Sequence, residues 1–170
     1  GILFPVRDSR GGLRESEGSL PRESVSVGFL PYTQRTILVQ AFKLLGAPYG
    51  WGGSGGEQDC SSFLQEIFST VGIRLPRNSS EQAKAGSAVD LPSAVPAITI
   101  LGMKGHIMLY LGEYEDNPYA IHAVWAYREP GPSGDIIRKI GRVAVTPLSL
   151  GEGSKKGSWQ KRINSIKTLK

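Results

Sequence analysis

Three side chains of this 170-residue sequence could together open an amide bond: its single cysteine, Cys60, and its two histidines, His106 and His122. Such a reaction needs a nucleophile for the carbonyl carbon and a base that takes the nucleophile's proton and later returns it to the leaving amine. A third polar group must hold that base in the correct tautomer. One thiol and two imidazoles can fill these roles. The same three groups could instead ligate zinc, but no CxxC or HxxxH pair accompanies them and one coordination position would stay open. Taken singly, the thiol has the alternative reading of a buried structural cysteine, and each histidine that of a hydrogen-bonded surface residue at a strand edge.

The elements around them favour chemistry. Cys60 closes a glycine-rich loop in which Gly52, Gly53, Gly55 and Gly56 build little core but let backbone approach a ligand closely. Asp59 is suited to cap a helix, and Phe63, Leu64, Ile67, Phe68 and Val71 recur at helical spacing, so Cys60 is expected in a first helical turn. Free N–H groups and the positive dipole end there favour the thiolate. Ahead of it, Thr33 can cap a helix reaching Leu45, with Ile37, Leu38, Ala41, Leu44 and Leu45 on one face and Gly46 as its stop. Gly72 ends the Cys60 helix, and Ser79 with Gln82 has capping-box spacing for a short third helix ending near Gly86. Pro92 and Pro96 then separate the helices from strands expected over 97–101, 105–111, 119–126 and 142–146. With 112–117 as the hairpin loop, the register centres near Tyr114 and sets His106 directly opposite His122, about 5 Å apart at Cβ.

The run PYGWGG, then DCSSF, then GIRLPRNSSEQ resembles the NlpC/P60 family of cysteine peptidases, which cut peptide bonds in bacterial cell-wall stem peptides. The resemblance extends from about Ile37 to Tyr127. It implies an α+β papain-like fold with helices packed on an antiparallel sheet, and the catalytic cysteine at a helix N-terminus. GHIMLYLG resembles the family's catalytic-histidine strand, which makes His106 the base and His122, on the following strand, its orienting partner. The resemblance further implies a thioester intermediate and cleavage between γ-D-glutamate and a diamino acid. Tyr49, Asp59, Ser61 and Ser79 match positions that receive the free amino end of the stem peptide. Asp59 could equally serve as the helix cap, Arg77 could bind a substrate carboxylate or pair at the surface, and Trp51 and Trp125 either wall the groove or pack in the core. Two departures stand out: Ser62 where the family usually has glycine, and VPAITI ahead of LGMKGH in place of a Gly-Asp-Leu turn.

Composition is that of an ordinary globular protein, 39% hydrophobic and 21% charged with a formal charge of +5. The basic residues are dispersed, densest from Lys155 to Lys170, which reads as a solvated face and not as a nucleic-acid site. No apolar run approaches a membrane span, and Gly1 reads as a processed or engineered start. Three segments are expected: 1–31, an N-terminal arm or a residual bacterial SH3-type segment; 32–150, the catalytic domain; and 151–170, a basic tail that docks or stays mobile. The resemblance implies peptidoglycan stem peptides as substrate, no cofactor or metal, an upstream SH3-type domain in a longer chain, and a place in the bacterial cell envelope. Two other readings are open: an amidase or acyltransferase on another amide, and a wall-binding module without catalysis.

Overall fold

The structure is a computed structural model that describes residues 1–52 and 55–169, so that Gly53 of the glycine loop lies outside the described residues. The chain divides into two compact units, residues 1–30 and 31–170. The first holds strands β1 (Ile2–Arg7) and β2 (Leu13–Gly18), paired antiparallel from Ile2 opposite Gly18 to Arg7 opposite Leu13, followed by one 3₁₀ turn at Arg22–Ser24. Asp8 organises the connection by accepting from the N–H groups of Arg10 and Gly12 at 2.9 and 2.8 Å. A single hairpin gives no support to the SH3-type reading of this segment.

In the second unit, α1 (Gln34–Lys43) begins where Thr33 accepts from the N–H of Thr36, and Gly46 follows it at φ +85°. Helix α2 spans Cys60–Ser69 and turns Phe63, Leu64, Ile67 and Phe68 inward, each at most 1% exposed. Burial of each such side chain stabilises the fold by roughly 2 kcal/mol. A single further turn, α3 (Ser79–Gln82), has Asn78 and not Ser79 as its N-cap. Gln82, expected to close a capping box, is instead fully buried and donates to the carbonyls of Ser61 and Pro76 at 2.9 and 2.8 Å. It ties the turn to α2.

The remaining strands are β3 (Ser87–Ala88), β4 (Thr99–Met103), β5 (His106–Tyr114), β6 (Asn117–Glu129) and β7 (Ile136–Pro147), followed by the one-turn α4 (Trp159–Arg162) and β8 (Ser165–Thr168). They form one antiparallel sheet in the order β3-β8-β4-β5-β6-β7. Helix α2 packs on β5 and β6, so the core lies between its apolar face and Ile107, Leu109, Ile121 and their neighbours. Residues 151–169 thus belong to the body of this unit: β8 sits inside the sheet, between β3 and β4.

The β5–β6 hairpin is tighter than its sequence suggests. Glu115 and Asp116 both take left-handed φ values, 49° and 59°, and make a two-residue turn between Tyr114 and Asn117. A bulge at Leu111 then shifts the ladder, giving Tyr110 opposite Ala120 and Leu109 opposite Ile121. Extending this register sets His106 across from Val124, and the expected direct opposition to His122 does not occur. The two histidines are diagonal neighbours on one face, a spacing that aromatic side chains still bridge.

Candidate active site

Helix α2 is fastened at the end that carries Cys60. Asp59 Oδ1 accepts from the N–H groups of Ser61 and Ser62 at 3.1 and 2.7 Å, and Ser62 Oγ accepts in return from the N–H of Asp59 at 2.8 Å. Ser62, the departure from the glycine usual in the family, therefore supplies the reciprocal half of a capping box. Cys60 itself is buried. Burial pushes its thiol above the ordinary value, and the Asp59 charge adds to that; N–H groups of Ile107, Ser61 and Cys60 itself aimed at the sulfur oppose it and do not prevail. The helix terminus alone does not produce a resting thiolate.

The histidines form a directed chain. His106 Nε2 lies 2.6 Å from His122 Nδ1, and His122 Nε2 lies 2.9 Å from Thr146 Oγ1. With His106 Nε2–H donating to His122 Nδ1, His122 must carry its proton on Nε2 and donate to Thr146, which leaves His106 Nδ1 as the free basic atom. His122 is fully buried and satisfied at both nitrogens. Burial lowers His106 to about 4, with the Arg162 charge contributing, and burial and the His106 neighbour lower His122 well below its usual value. At rest the site therefore holds a neutral thiol and neutral imidazoles, and His106 is competent to accept a proton. Because the two rings spend nitrogens on each other, they cannot both point those atoms at a zinc ion.

Trp159 covers this pair. Its ring stacks on His106 at 5.5 Å and 28°, and meets His122 edge-on at 5.6 Å and 89°. The Arg162 guanidinium, one turn on, lies over the Trp159 ring at 5.1 Å from its centroid. Trp159 is buried and its indole N–H has no partner among the described residues. Neither Trp159 nor Thr146 was visible as a site residue in the sequence: one is an aromatic within a basic stretch, the other a threonine in a strand full of β-formers.

Two half-clefts share Tyr49, Trp51 and Gly105 as lining, and one holds the thiol while the other holds the imidazole. One, about 530 Å³, is lined by Tyr49, Asp59, Cys60, Ser61, Arg77 and Ser79, so all four residues expected to bind substrate border one cavity with the nucleophile. Arg77 pairs with Asp59 at 2.5 Å and donates to Ser61 Oγ at 2.8 Å. Burial pushes the Asp59 carboxyl up, but Arg77 and the N–H and O–H donors outweigh it and hold the group at about 2. Asp59 is thus a cap and a cleft carboxylate at once. The other half-cleft, about 380 Å³, lies on the His106 side. Tyr49 borders both, its rim shared with Trp51 and Trp125, whose ring centroids are each 5.9 Å away. Trp51 and Trp125 are 86% and 50% exposed, so they wall the groove and are not core. Burial, with the Cys60 and Asp59 charges, pushes Tyr49 up to about 12, and its hydroxyl stays a neutral donor.

The sequence profile of the NlpC/P60 family matches residues 46–128, a span that contains Cys60, His106 and His122. The γ-D-glutamyl-L-lysine dipeptidyl-peptidase of Bacillus subtilis strain 168 is 37% identical over 106 residues, which cover 62% of this chain and 32% of that protein. The probable endopeptidase p60 of Listeria seeligeri is 35% identical over 88 residues, 51% of this chain and 17% of that protein. This chain therefore spans a third or less of the length of these relatives. Among solved structures, an NlpC/P60 family protein from Bacillus cereus superposes with a TM-score of 0.65 at 19% identity, over 97% of this chain and 59% of that one. At that identity the likeness concerns the fold, and the fold is the α+β papain-like arrangement of helices on an antiparallel sheet.

Proposed function

Because the chain belongs to the NlpC/P60 family, we propose that it is a cysteine endopeptidase of peptidoglycan stem peptides that cuts between γ-D-glutamate and a diamino acid. The observation that carries this reading is the chain of contacts from His106 through His122 to Thr146, which starts on the strand whose Ile107 N–H is aimed at the sulfur of Cys60 at a capped helix N-terminus. His106 Nδ1 takes the Cys60 proton as the sulfur attacks the carbonyl carbon, and the oxyanion that forms can accept from the N–H of Cys60. His106 then passes its proton to the leaving nitrogen, the C–N bond breaks, and a thioester remains on Cys60. Water, deprotonated by the same imidazole, cleaves the thioester and restores the thiol. No cofactor enters this sequence of steps.

Tyr49, Asp59, Ser61 and Ser79 would receive the amino end of the peptide. The ammonium group suits Asp59, whose Oδ2 accepts, among the described residues, from Arg77 and the N–H of Gly52, whereas Oδ1 is occupied by Arg77, Ser61 and Ser62. A bacterial cell-envelope location follows from this substrate, and no described helix is long and apolar enough to cross a membrane. Residues 1–31 would be an arm or accessory segment preceding the catalytic domain.

The test is mass spectrometry of products from defined stem peptides, only one of which contains the γ-D-glutamyl to diamino acid bond. We expect the parent protein to cut that bond and Cys60→Ala and His106→Ala to lose at least a thousandfold in rate. Cleavage at a different amide would favour the amidase or acyltransferase reading. Binding of wall fragments with no turnover, together with a thiol inert to alkylation near neutral pH, would make this a wall-binding module.

A further inference from the structure

The half-cleft on the His106 side is bordered by Lys104, Arg128, Lys156 and Arg162 and by no carboxylate. None of these four cations makes an ion pair among the described residues, whereas Arg77, on the other side of the thiol, is paired with Asp59. Unpaired cations converging on a concave surface beside a catalytic base call for an anion. The reaction fixes which part of the substrate lies there. The acyl portion stays bonded to Cys60, and the amine portion must lie where His106 can protonate it. The basic half-cleft therefore faces the released amine, and the half-cleft with Asp59 faces the acyl portion.

Resting on the cysteine peptidase reading, we propose that this half-cleft binds a free carboxylate carried by the residue that leaves as the amine. Arg162 is held over Trp159, which itself packs on His106, so one cation has a fixed place relative to the base. Its charge already acts on His106, and a carboxylate bound beside it would offset that charge and make the imidazole a stronger base during turnover. Lys104 and Lys156 stand exposed at the rim and can adjust to the ligand. Trp51 and Trp125 offer flat apolar walls for the aliphatic part of a diamino acid. A side chain ending only in ammonium, as in lysine, meets like charges here and gains nothing from them. The carboxylate could be the residue's own C-terminal group or a second one on its side chain.

The test compares L-alanyl-γ-D-glutamyl-L-lysine with its C-terminal carboxamide, and adds the diaminopimelate peptide amidated at its main-chain carboxyl. We expect the parent kcat/KM to favour free carboxylate over carboxamide by about tenfold, as for a charge-assisted contact. In Lys104→Gln/Lys156→Gln that preference should shrink to about twofold, through KM and not kcat. Retained preference for the amidated diaminopimelate peptide would identify the side-chain carboxylate as the bound group, and its loss the C-terminal one. Cleavage of all three peptides at equal rates, or a preference untouched by the double variant, overturns the proposal and leaves the peptidase reading standing. Should no peptide be cut, the peptidase reading fails instead, and tryptophan fluorescence titration of Cys60→Ala with lysine, lysinamide and diaminopimelate decides. Tighter binding of the carboxylate ligands, weakened by Lys104→Gln/Lys156→Gln, upholds the anion site; indifference to the carboxylate overturns it.

Discussion

Thr146 is the residue that gives the histidine pair its direction. Without an acceptor at 2.9 Å from His122 Nε2, the His122 proton could sit on Nδ1, where it would oppose the His106 Nε2–H and turn the base the wrong way round. Thr146→Val keeps the shape and removes the hydroxyl. It should lower kcat by about tenfold with KM nearly unchanged, and steady-state kinetics on the stem peptide separates the two. Asp59 has a different weight. Asp59→Ala removes a cap worth about 1 kcal/mol, leaves Arg77 without its partner and takes away the proposed ammonium site. We expect a small loss in urea stability accompanied by a large rise in KM. At this scale the sequence was informative wherever function needs a rare residue type: with one cysteine and two histidines there were few ways to assemble the site. It was silent on Thr146 and Trp159, because a common residue acquires a role only from the neighbour that folding supplies.

Among elements, the helices were more legible than the sheet. The cap at Asp59, the apolar face of α2 and the stop at Gly72 are set by residues within a few positions of each other, so local pattern suffices. Register is not local in that sense. One bulged residue at Leu111 and a tight turn at Glu115–Asp116 moved the β5–β6 pairing by two positions, yet the imidazoles still meet because the diagonal of a sheet lies within their reach. The short α4 shows the same limit, since nothing near Trp159 in sequence announces that it will cover His106. Trp159→Ala should cost about 3 to 5 kcal/mol, as for other large aromatic truncations in a core. It should also let water reach His106, relieve the burial that holds its pKa at about 4, and move the acid limb of the kcat/KM profile upward toward 6.5. Trp159→Phe, which keeps a ring against the imidazole, should move that limb much less.

For the catalytic unit as a whole, the buried His122 and the half-buried His106, both neutral, set the response to acid. A group whose folded value lies below its unfolded one binds fewer protons in the native state, so stability is complete above about pH 6.5 and falls as pH drops toward 4. His106, with a folded value of about 4, sets the lower edge of that window. Asp59, held at about 2, acts lower, its contribution present above about pH 4 and lost only as pH falls through 2. Thermal unfolding followed by circular dichroism should therefore show Tm falling between pH 6.5 and 4. His122→Gln, though less stable at pH 7, should show a shallower fall.

The sheet order carries a consequence for synthesis. Strand β8, from Ser165–Thr168, lies between β3 and β4, and Trp159 completes the cover over His106, although Cys60 is made about a hundred residues earlier. A chain still attached to the ribosome before these residues emerge has its nucleophile and both histidines but lacks an inner strand of the sheet and the lid over its base. Assembly of the site is thereby deferred until residues 159–168 are made, and the thiol and both imidazoles stay without their finished surroundings in the nascent chain for as long as those few residues are unmade.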